Sequence, residues 1–336
     1  MRNQNKFRTK REVDGEALVK RILQGDKVAL SLAITLVESS RPQDMESAEH
    51  LVTNCLQVKT ESVRIGITGV PGVGKSTFIE AFGTYLTRLG KRVAVLAVDP
   101  SSTITKGSIL GDKTRMEKLS KNPNAFIRPS PAKDSLGGVT KKTRETIILC
   151  EASGYDVILV ETVGVGQSET LVHSMVDFFL LLKLAGAGDE LQGVKRGIME
   201  MADAVVINKA DGENLKAVKY AMREFKRALH LYPPKENHWI PKVTSCSSLN
   251  DVGIDTIWEI IVAFLDLTKE NGCFEDNRTK QNKDWFLQTI DEQLKTRFLS
   301  QENIKRSMED YLARIEKRTI SPVLAAQKLL EQQDIN

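Results

Sequence analysis

The sequence has few residues suited to disulfides or metal centres. Its four cysteines, Cys55, Cys150, Cys246 and Cys273, include no C-x-x-C pair, so we expect free thiols in a reducing compartment. Its four histidines are scattered; His230 and His238 could share a ligand set, but no cysteine or acidic partner stands at metal-ligand spacing. This pattern disfavours a structural zinc site.

Long hydrophobic runs and a strong charge imbalance are also missing. The most apolar run, residues 178–182, is stopped by Asp177 and Lys183 and is too short to cross a bilayer. Residues 1–11 are basic and polar and lack the apolar core of a secretory signal. A net charge of +4 with 44 acidic residues disfavours a dedicated nucleic-acid surface. We therefore expect a cytoplasmic protein that binds neither membrane nor nucleic acid.

The order of apolar patterns predicts a three-part chain. Residues 1–60 carry stripes at helical spacing and predict a helical N-terminal extension. Residues 61–268 alternate short apolar runs with helix-forming segments, which is typical of a three-layer α/β domain with a mostly parallel sheet. Strands are expected near 63–68, 92–98, 125–128, 156–161, 177–184, 204–207 and 240–244. Helices are expected near 75–89, 138–152, 191–202, 213–231 and 253–268.

Residues 269–336 predict a helical C-terminal arm. Asn271-Gly272 and the polar residues 277–282 indicate a hinge, and apolar stripes at helical spacing follow. These residues are too few for a large core of their own. They either fold back on the sheet domain or pack on a second subunit, and we favour a dimerisation arm.

A glycine-rich stretch at residues 69–76, G-V-P-G-V-G-K-S, has the spacing of a phosphate-binding loop (P-loop). It stands between a predicted strand and a predicted helix, where backbone N–H groups and the helix dipole favour a phosphate. The alternative is a structural glycine-rich turn. Lys75 would reach the β- and γ-phosphates, and the Ser76 hydroxyl would bind Mg²⁺. The predicted phosphate-binding residues are Gly69, Pro71, Gly72, Val73, Gly74, Lys75, Ser76 and Thr77.

Acidic residues follow two predicted strands, where ligands of parallel sheets bind. Asp99 and Glu161 suit Mg²⁺ or a water in its shell, although Asp99 also fits a turn. Asp112 follows in a loop that could close over the γ-phosphate. Gly164 could donate its N–H to the γ-phosphate, and Gln167 could orient the attacking water or be a surface loop residue.

The motif Asn208-Lys209-Ala210-Asp211 follows another apolar strand and predicts guanine recognition. The carboxylate of Asp211 can accept hydrogen bonds from guanine N1–H and the exocyclic amine, whereas adenine offers neither donor there. The motif therefore favours GTP and GDP over ATP. Ser245, Cys246 and Ser247 follow the next strand and are placed for backbone contact with the guanine O6.

Four motifs together resemble the MeaB/ArgK family of P-loop GTPases: V-D-P-S-S (98–102), E-T-V-G-V-G-Q-S-E (161–169), the stretch 186–203, and N-K-A-D (208–211). The resemblance runs from about residue 12 to the C-terminus. It implies a P-loop GTPase domain with a helical N-terminal extension and a C-terminal arm that forms a homodimer. It also implies a chaperone that gates cofactor delivery to adenosylcobalamin-dependent acyl-CoA mutases, chiefly methylmalonyl-CoA mutase, and protects them.

Residue by residue, the resemblance places Asp99, Asp112 and Glu161 around Mg²⁺, together with Ser76. The loop 186–195 matches a third switch, in which Lys195 signals the nucleotide state to the mutase. The catalytic residues are then expected to be Lys75, Asp112, Gln167 and Lys195. The family's older description, an ATP-dependent kinase of arginine/ornithine transport, is the second interpretation. A metal-insertion GTPase, such as those that serve nickel enzymes, is a third, which the lack of a histidine- or cysteine-rich metal site in the sequence disfavours.

Overall fold

The computed structural model describes residues 15–39, 41–98, 116–129, 136–162, 168–186 and 196–333. The strands are β1 (Val63–Gly69), β2 (Val93–Val98), β3 (Ala125–Arg128), β4 (Val157–Thr162), β5 (Phe178–Leu184), β6 (Ala204–Asn208) and β7 (Lys242–Ser245). The α-helices are α1 (Gly15–Leu23), α2 (Lys27–Val37), α3 (Pro42–Leu56), α4 (Lys75–Arg88), α5 (Glu117–Ser120), α6 (Leu136–Ala152), α7 (Ser168–His173), α8 (Arg196–Met201), α9 (Leu215–Leu229), α10 (Ile254–Glu270), α11 (Cys273–Ser300), α12 (Glu302–Glu316) and α13 (Pro322–Leu330).

The seven strands form one sheet in the order β3-β2-β4-β1-β5-β6-β7, and the paired strands run parallel. Strand β1, which leads into the glycine-rich loop, lies at the centre between β4 and β5. All carboxyl ends therefore meet at one edge, where the glycine-rich loop, Glu161 and Asn208 lie. The expected parallel α/β sheet is confirmed.

Both faces of the sheet are covered by helices. In β5, Phe178 and Leu182 are buried in a cluster that includes residues of α4 and α10, such as Phe78 and Phe264. The intervening Leu181 is buried in a second cluster that includes residues of α9. Burial on both faces explains why the strands are apolar throughout rather than alternating.

The amino ends of three strands carry aspartates that bind the neighbouring strand. Asp156, Asp177 and Asp203 stand immediately before β4, β5 and β6. Each accepts a backbone N–H with its Oδ2 atom: from Arg92 at 2.6 Å, from Arg64 at 2.8 Å and from Phe179 at 2.8 Å, respectively. We call these three residues the amino-edge aspartates.

The N-terminal helices α1, α2 and α3 pack on one another and on α6. Lys27, the first residue of α2, donates to the carbonyl oxygen of Ala125 in β3 at 2.7 Å. Glu38 forms an ion pair with Arg128, and its backbone carbonyl accepts from the Lys142 ammonium at 2.7 Å. Polar contacts thus attach the helical extension to the α/β domain beside β3 and α6.

The chain divides into two compact units between Arg278 and Thr279. The second unit comprises most of α11 together with α12 and α13. Of the expected hinge, Asn271-Gly272 lies between α10 and α11, whereas residues 277–282 are helical because α11 continues through them. Polar residues reduce helix propensity only slightly, whereas Gly272, with φ +80°, separates α10 from α11. In the described ranges, no helix combines the length and apolar character that crossing a membrane requires.

Candidate nucleotide-binding site

The glycine-rich loop joins the end of β1 to the start of α4. Gly74 precedes α4 with φ +92°, and a Cβ atom there would lie 2.9 Å from Asn208 Nδ2. A Cβ atom on Gly69 would lie 2.6 Å from the carbonyl oxygen of Leu182 in β5. Both positions therefore require glycine, since a side chain would collide with the backbone or with Asn208.

Part of the glycine-rich loop is exposed to solvent. Pro71, Gly72 and Thr77 are exposed, while Lys75 and Ser76 are half-buried in the first turn of α4. The first N–H groups of a helix lack helical acceptors, and the helix dipole adds a partial positive charge there. The strand, loop and helix predicted to bind phosphate are thus present in that order.

Lys75 lies beneath this loop. Its ammonium donates to the carbonyl oxygens of Gly69 at 2.8 Å and Val70 at 3.4 Å. Burial lowers the pKa of Lys75, while the negative charges of Glu161 and Glu169 act to raise it. The lysine charge is therefore held between carbonyl oxygens and two acidic side chains.

Two residues of the predicted guanine motif brace the phosphate loop. Asn208 donates through Nδ2 to the carbonyl oxygen of Val73 at 2.9 Å, and Lys209 donates to that of Gly72 at 3.0 Å. Asn208 Oδ1 accepts from the Ser248 hydroxyl at 2.8 Å. Sequence reasoning assigned Asn208 and Lys209 to the base alone and missed Ser248. Only the tertiary structure brings β6, the loop after β7 and the phosphate loop together.

Asp211 has a defined partner. The Ser247 hydroxyl donates to Asp211 Oδ2 at 2.5 Å, and Ser247 Oγ accepts the backbone N–H of Asn250 at 3.3 Å. This contact fixes the carboxylate that would read guanine.

The predicted contacts with the guanine O6 involve residues that already serve the fold. Ser245 ends β7, and the N–H of Cys246 donates to the Ile207 carbonyl oxygen at 3.0 Å. The N–H of Ser247 donates to the Val252 carbonyl oxygen at 3.0 Å. A role for these three residues at O6 stays a prediction.

Two buried acids stand near Lys75. Glu161, near the end of β4, is 9% exposed, and Glu169, in the first turn of α7, is 3% exposed. Glu169 Oε2 has no hydrogen-bond partner in the described part of the chain. A buried carboxylate oxygen without a donor fits a hard cation such as Mg²⁺.

The described residues by themselves do not complete a metal site. Within them, no group of three or more His, Cys, Asp or Glu side chains is placed to hold a metal ion. The predicted ligands Asp99 and Asp112 lie outside the described residues, as do Gly164, Gln167 and Lys195. Ser76 and Glu161 are the two predicted ligands that the structure describes, at the start of α4 and near the end of β4.

Comparison with known proteins identifies the family of this site. A family model described as methylmalonyl Co-A mutase-associated GTPase MeaB matches residues 30–303. A probable GTPase of Mycobacterium tuberculosis is 49% identical over 319 residues, covering 95% of this chain and 94% of the relative. The mitochondrial methylmalonic aciduria type A homolog of Mus musculus is 43% identical, covering 92% of this chain and 77% of that protein.

A solved structure gives the same result. The crystal structure titled LAO/AO transport system kinase superposes with a TM-score of 0.78 at 37% identity, covering 97% of this chain and 99% of that one. Sequence and fold therefore agree over nearly the whole chain. The chain belongs to the MeaB family of P-loop GTPases and is a GTP-hydrolysing enzyme.

Proposed function

We propose that this GTPase assists and protects an adenosylcobalamin-dependent acyl-CoA mutase and gates the loading of its cofactor. Methylmalonyl-CoA mutase is the first candidate partner. The observation that carries the proposal is the family match across residues 30–303, whose description names association with that mutase. The methylmalonic aciduria type A homologs among the relatives support the same assignment.

A contact between two short helices supports the proposal that the nucleotide state is signalled to the mutase. Helix α7 follows the predicted loop of Gly164 and Gln167, and α8 follows the predicted switch that ends at Lys195. The two helices contact each other. His173, the last residue of α7, also packs edge-on against Phe179 in β5, with ring centroids 5.4 Å apart. A shift of one loop could therefore be transmitted to the other through packed side chains.

We propose that Mg²⁺ accompanies the nucleotide, held by Ser76, Asp99, Asp112 and Glu161. When bound, it would neutralise charge on the β- and γ-phosphates. Lys75 would exchange its carbonyl partners for phosphate oxygens, at low cost because its ammonium already lies at the loop. Gly164 would donate its N–H to the γ-phosphate, and Gln167 would orient the attacking water.

We also propose that the second unit forms a homodimer with a second copy of the chain. Helix α11 exposes four apolar side chains at helical spacing: Phe286, Leu287, Ile290 and Leu294, between 38% and 65% exposed. An exposed apolar stripe of this kind marks an interaction surface. Replacing Leu287 and Leu294 by Glu should shift the protein from dimer to monomer in sedimentation experiments. An unchanged dimer would contradict this interface.

The chaperone proposal is tested by GTP turnover with and without apo-methylmalonyl-CoA mutase. We expect slow intrinsic turnover that rises by about tenfold or more when the apo-mutase is added, equivalent to at least ~1.4 kcal/mol of added transition-state stabilisation. A Lys195→Ala variant should lose the stimulation, because Lys195 is expected to signal the nucleotide state to the mutase. Equal turnover with and without every candidate acyl-CoA mutase would overturn the proposal.

The kinase of an arginine/ornithine transport system is a second candidate, because the solved relative is titled LAO/AO transport system kinase. It predicts that ATP binds better than GTP and that phosphate is transferred to a binding protein. The Asp211 carboxylate, held by Ser247, favours guanine instead. Parallel titrations with GTP and ATP distinguish the two candidates.

A further inference from the structure

Glu169 is a buried acid to which the predicted GTPase mechanism gives no role. It is 3% exposed, and its Oε2 atom has no hydrogen-bond partner in the described residues. The preceding residue, Ser168, is fully buried, and its Oγ atom also lacks a partner there. Leaving two polar atoms unsatisfied inside a protein costs several kcal/mol unless a ligand or water satisfies them.

The position of these atoms connects them to the phosphate site. Ser168 and Glu169 form the first turn of α7, directly after the loop that leaves β4, and α7 contacts both β4 and β1. The charge of Glu169 acts on Lys75 together with that of Glu161. The charges of two buried acids therefore both act on the lysine that is expected to reach the β- and γ-phosphates.

Two buried acids beside phosphates would oppose nucleotide binding by electrostatic repulsion. A divalent cation reverses this effect, because oxygen anions on either side of it are both attracted. Glu161 is already assigned to such a cation, whereas Glu169 is not. The unpartnered Oε2 atom is suited to accept hydrogen bonds from waters that a hydrated cation carries.

We propose that Glu169 belongs to the metal site as an outer acidic residue, which positions the waters of the divalent cation bound with the nucleotide. Ser168 Oγ, the other buried atom without a partner in this turn, would hydrogen-bond to the same waters. This inference rests on the Mg²⁺ site of the proposed function. Glu169 is a positioning residue, since it acts through water rather than by touching the phosphates.

Because Glu169 carries a carboxylate, a role at the metal site can be distinguished by experiment from a purely structural role. Without Mg²⁺, removing a negative charge near the phosphates should leave nucleotide affinity unchanged or increase it. With Mg²⁺, the same change should weaken binding, because the cation loses a partner. A purely structural side chain would weaken binding equally in both conditions.

The experiment measures the dissociation constant of a non-hydrolysable GTP analogue in saturating Mg²⁺ and in excess EDTA. In the full-length Glu169→Gln protein, the tightening caused by Mg²⁺ should fall by about tenfold, while the affinity in EDTA should not decrease. The matched control Glu259→Gln makes the same chemical change on the exposed face of α10 and should retain the full tightening.

The possible results separate this inference from the proposed Mg²⁺ site. Full Mg²⁺ tightening in Glu169→Gln, or equal loss of affinity with and without Mg²⁺, overturns the role of Glu169 alone. Absence of Mg²⁺ tightening in the wild-type protein overturns the Mg²⁺ site as well. If Glu169→Gln does not fold, the same measurement is made on Glu169→Asp. Its shorter side chain should lose part of the Mg²⁺-dependent tightening. Unaltered tightening in Glu169→Asp would refute the proposal.

Discussion

Buried charged side chains have different hydrogen-bond partners at the two edges of the sheet. At the amino edge, the carboxylate of Asp177 accepts from Arg278 Nε at 2.8 Å, from Arg278 Nη2 at 2.7 Å and from the Arg64 N–H at 2.8 Å. Glu151 accepts from both Arg64 Nε and Nη2 at 2.8 Å, and from the Ser62 hydroxyl at 2.6 Å. At the carboxyl edge, Lys75 bonds to carbonyl oxygens and Glu169 Oε2 is unsatisfied within the described residues.

Under the proposed function, this difference distinguishes structural charges from ligand-binding ones. Buried ions that are fully hydrogen-bonded fix strand register and resist change, and removing one partner is costly. Buried ions that keep unused hydrogen-bonding capacity contribute less to the fold but can bind a ligand and its cation. The same parallel strands thus carry a stabilising edge and a binding edge.

The largest effect is expected from Asp177→Ala, which removes the central acid of the amino edge. The buried guanidinium of Arg278 and the backbone N–H of Arg64 would lose their acceptor, so the free energy of unfolding should fall by about 3–5 kcal/mol. Denaturant titration measures the loss, with the exposed Asp266→Ala as the control. A loss below about 1 kcal/mol would show that the buried charges at the amino edge do not have the stabilising role that sets them apart from those at the carboxyl edge.

Lys75→Ala should impair GTP turnover and leave the stability of the fold largely unchanged, in contrast to Asp177→Ala. GTP turnover should fall by about 10²–10³-fold or be abolished, because the lysine stabilises phosphate charge. The fold should persist, since removing the ammonium also removes its burial cost. Turnover and thermal unfolding are measured in parallel with Lys118→Ala, whose side chain is exposed. Unchanged GTP affinity in Lys75→Ala would refute the phosphate-loop assignment.

Asp211→Asn tests whether the Asp211 carboxylate recognises the guanine base. Losing a charged acceptor for two guanine donors should weaken GTP binding by about 1.5–3 kcal/mol, or about 10- to 150-fold. Xanthosine triphosphate carries an oxygen in place of the guanine amine, so it should gain affinity for the variant. Calorimetric titration with both nucleotides tests this. Equal weakening of the two would indicate a structural role for Asp211.

Glu145 provides a smaller, pH-dependent effect away from both edges. Burial in α6 raises its pKa to about 7, although the charges of Lys141 and Lys142 act to lower it and Glu49 adds to the rise. The folded protein thus prefers the protonated acid. Its stabilising contribution is complete below the ordinary pKa of 4.5 and is lost as pH rises through about 7.

The matched test of this effect is Glu145→Gln. At about pH 8 the variant should be more stable than the wild type by about 1–2 kcal/mol, and near pH 5 the difference should shrink. Urea titrations at both pH values measure it. A difference that does not change with pH would show that Glu145 retains an ordinary pKa.

Much of the fold was predictable because the strands are continuous buried runs. The bounds of β1 to β7 agree with the expected ranges to within two residues at each end. The short helices α5 and α7 were missed, since four or six residues carry no clear helical period. The amino-edge aspartates were also missed as a group, because their partners depend on strand register.

The site was predictable as far as local chemistry determines it. The spacing around Lys75 predicted the loop, and the loop occurs between β1 and α4. The bracing of that loop by Asn208 and Lys209 was not predictable, because it joins residues more than 130 positions apart. Glu169 ends the motif at residues 161–169, but its role was not predictable, since burial and missing partners are properties of the folded chain.

The most direct test of the account compares stabilisation by GDP in the wild type, Asp177→Ala and Lys75→Ala. At a concentration one hundred times the wild-type dissociation constant, GDP should raise the unfolding free energy by about 2.7 kcal/mol. We expect this gain in both the wild type and Asp177→Ala, because the two edges act independently, and no comparable gain in Lys75→Ala. An equal gain in Lys75→Ala would show that guanine nucleotide does not bind at the carboxyl edge.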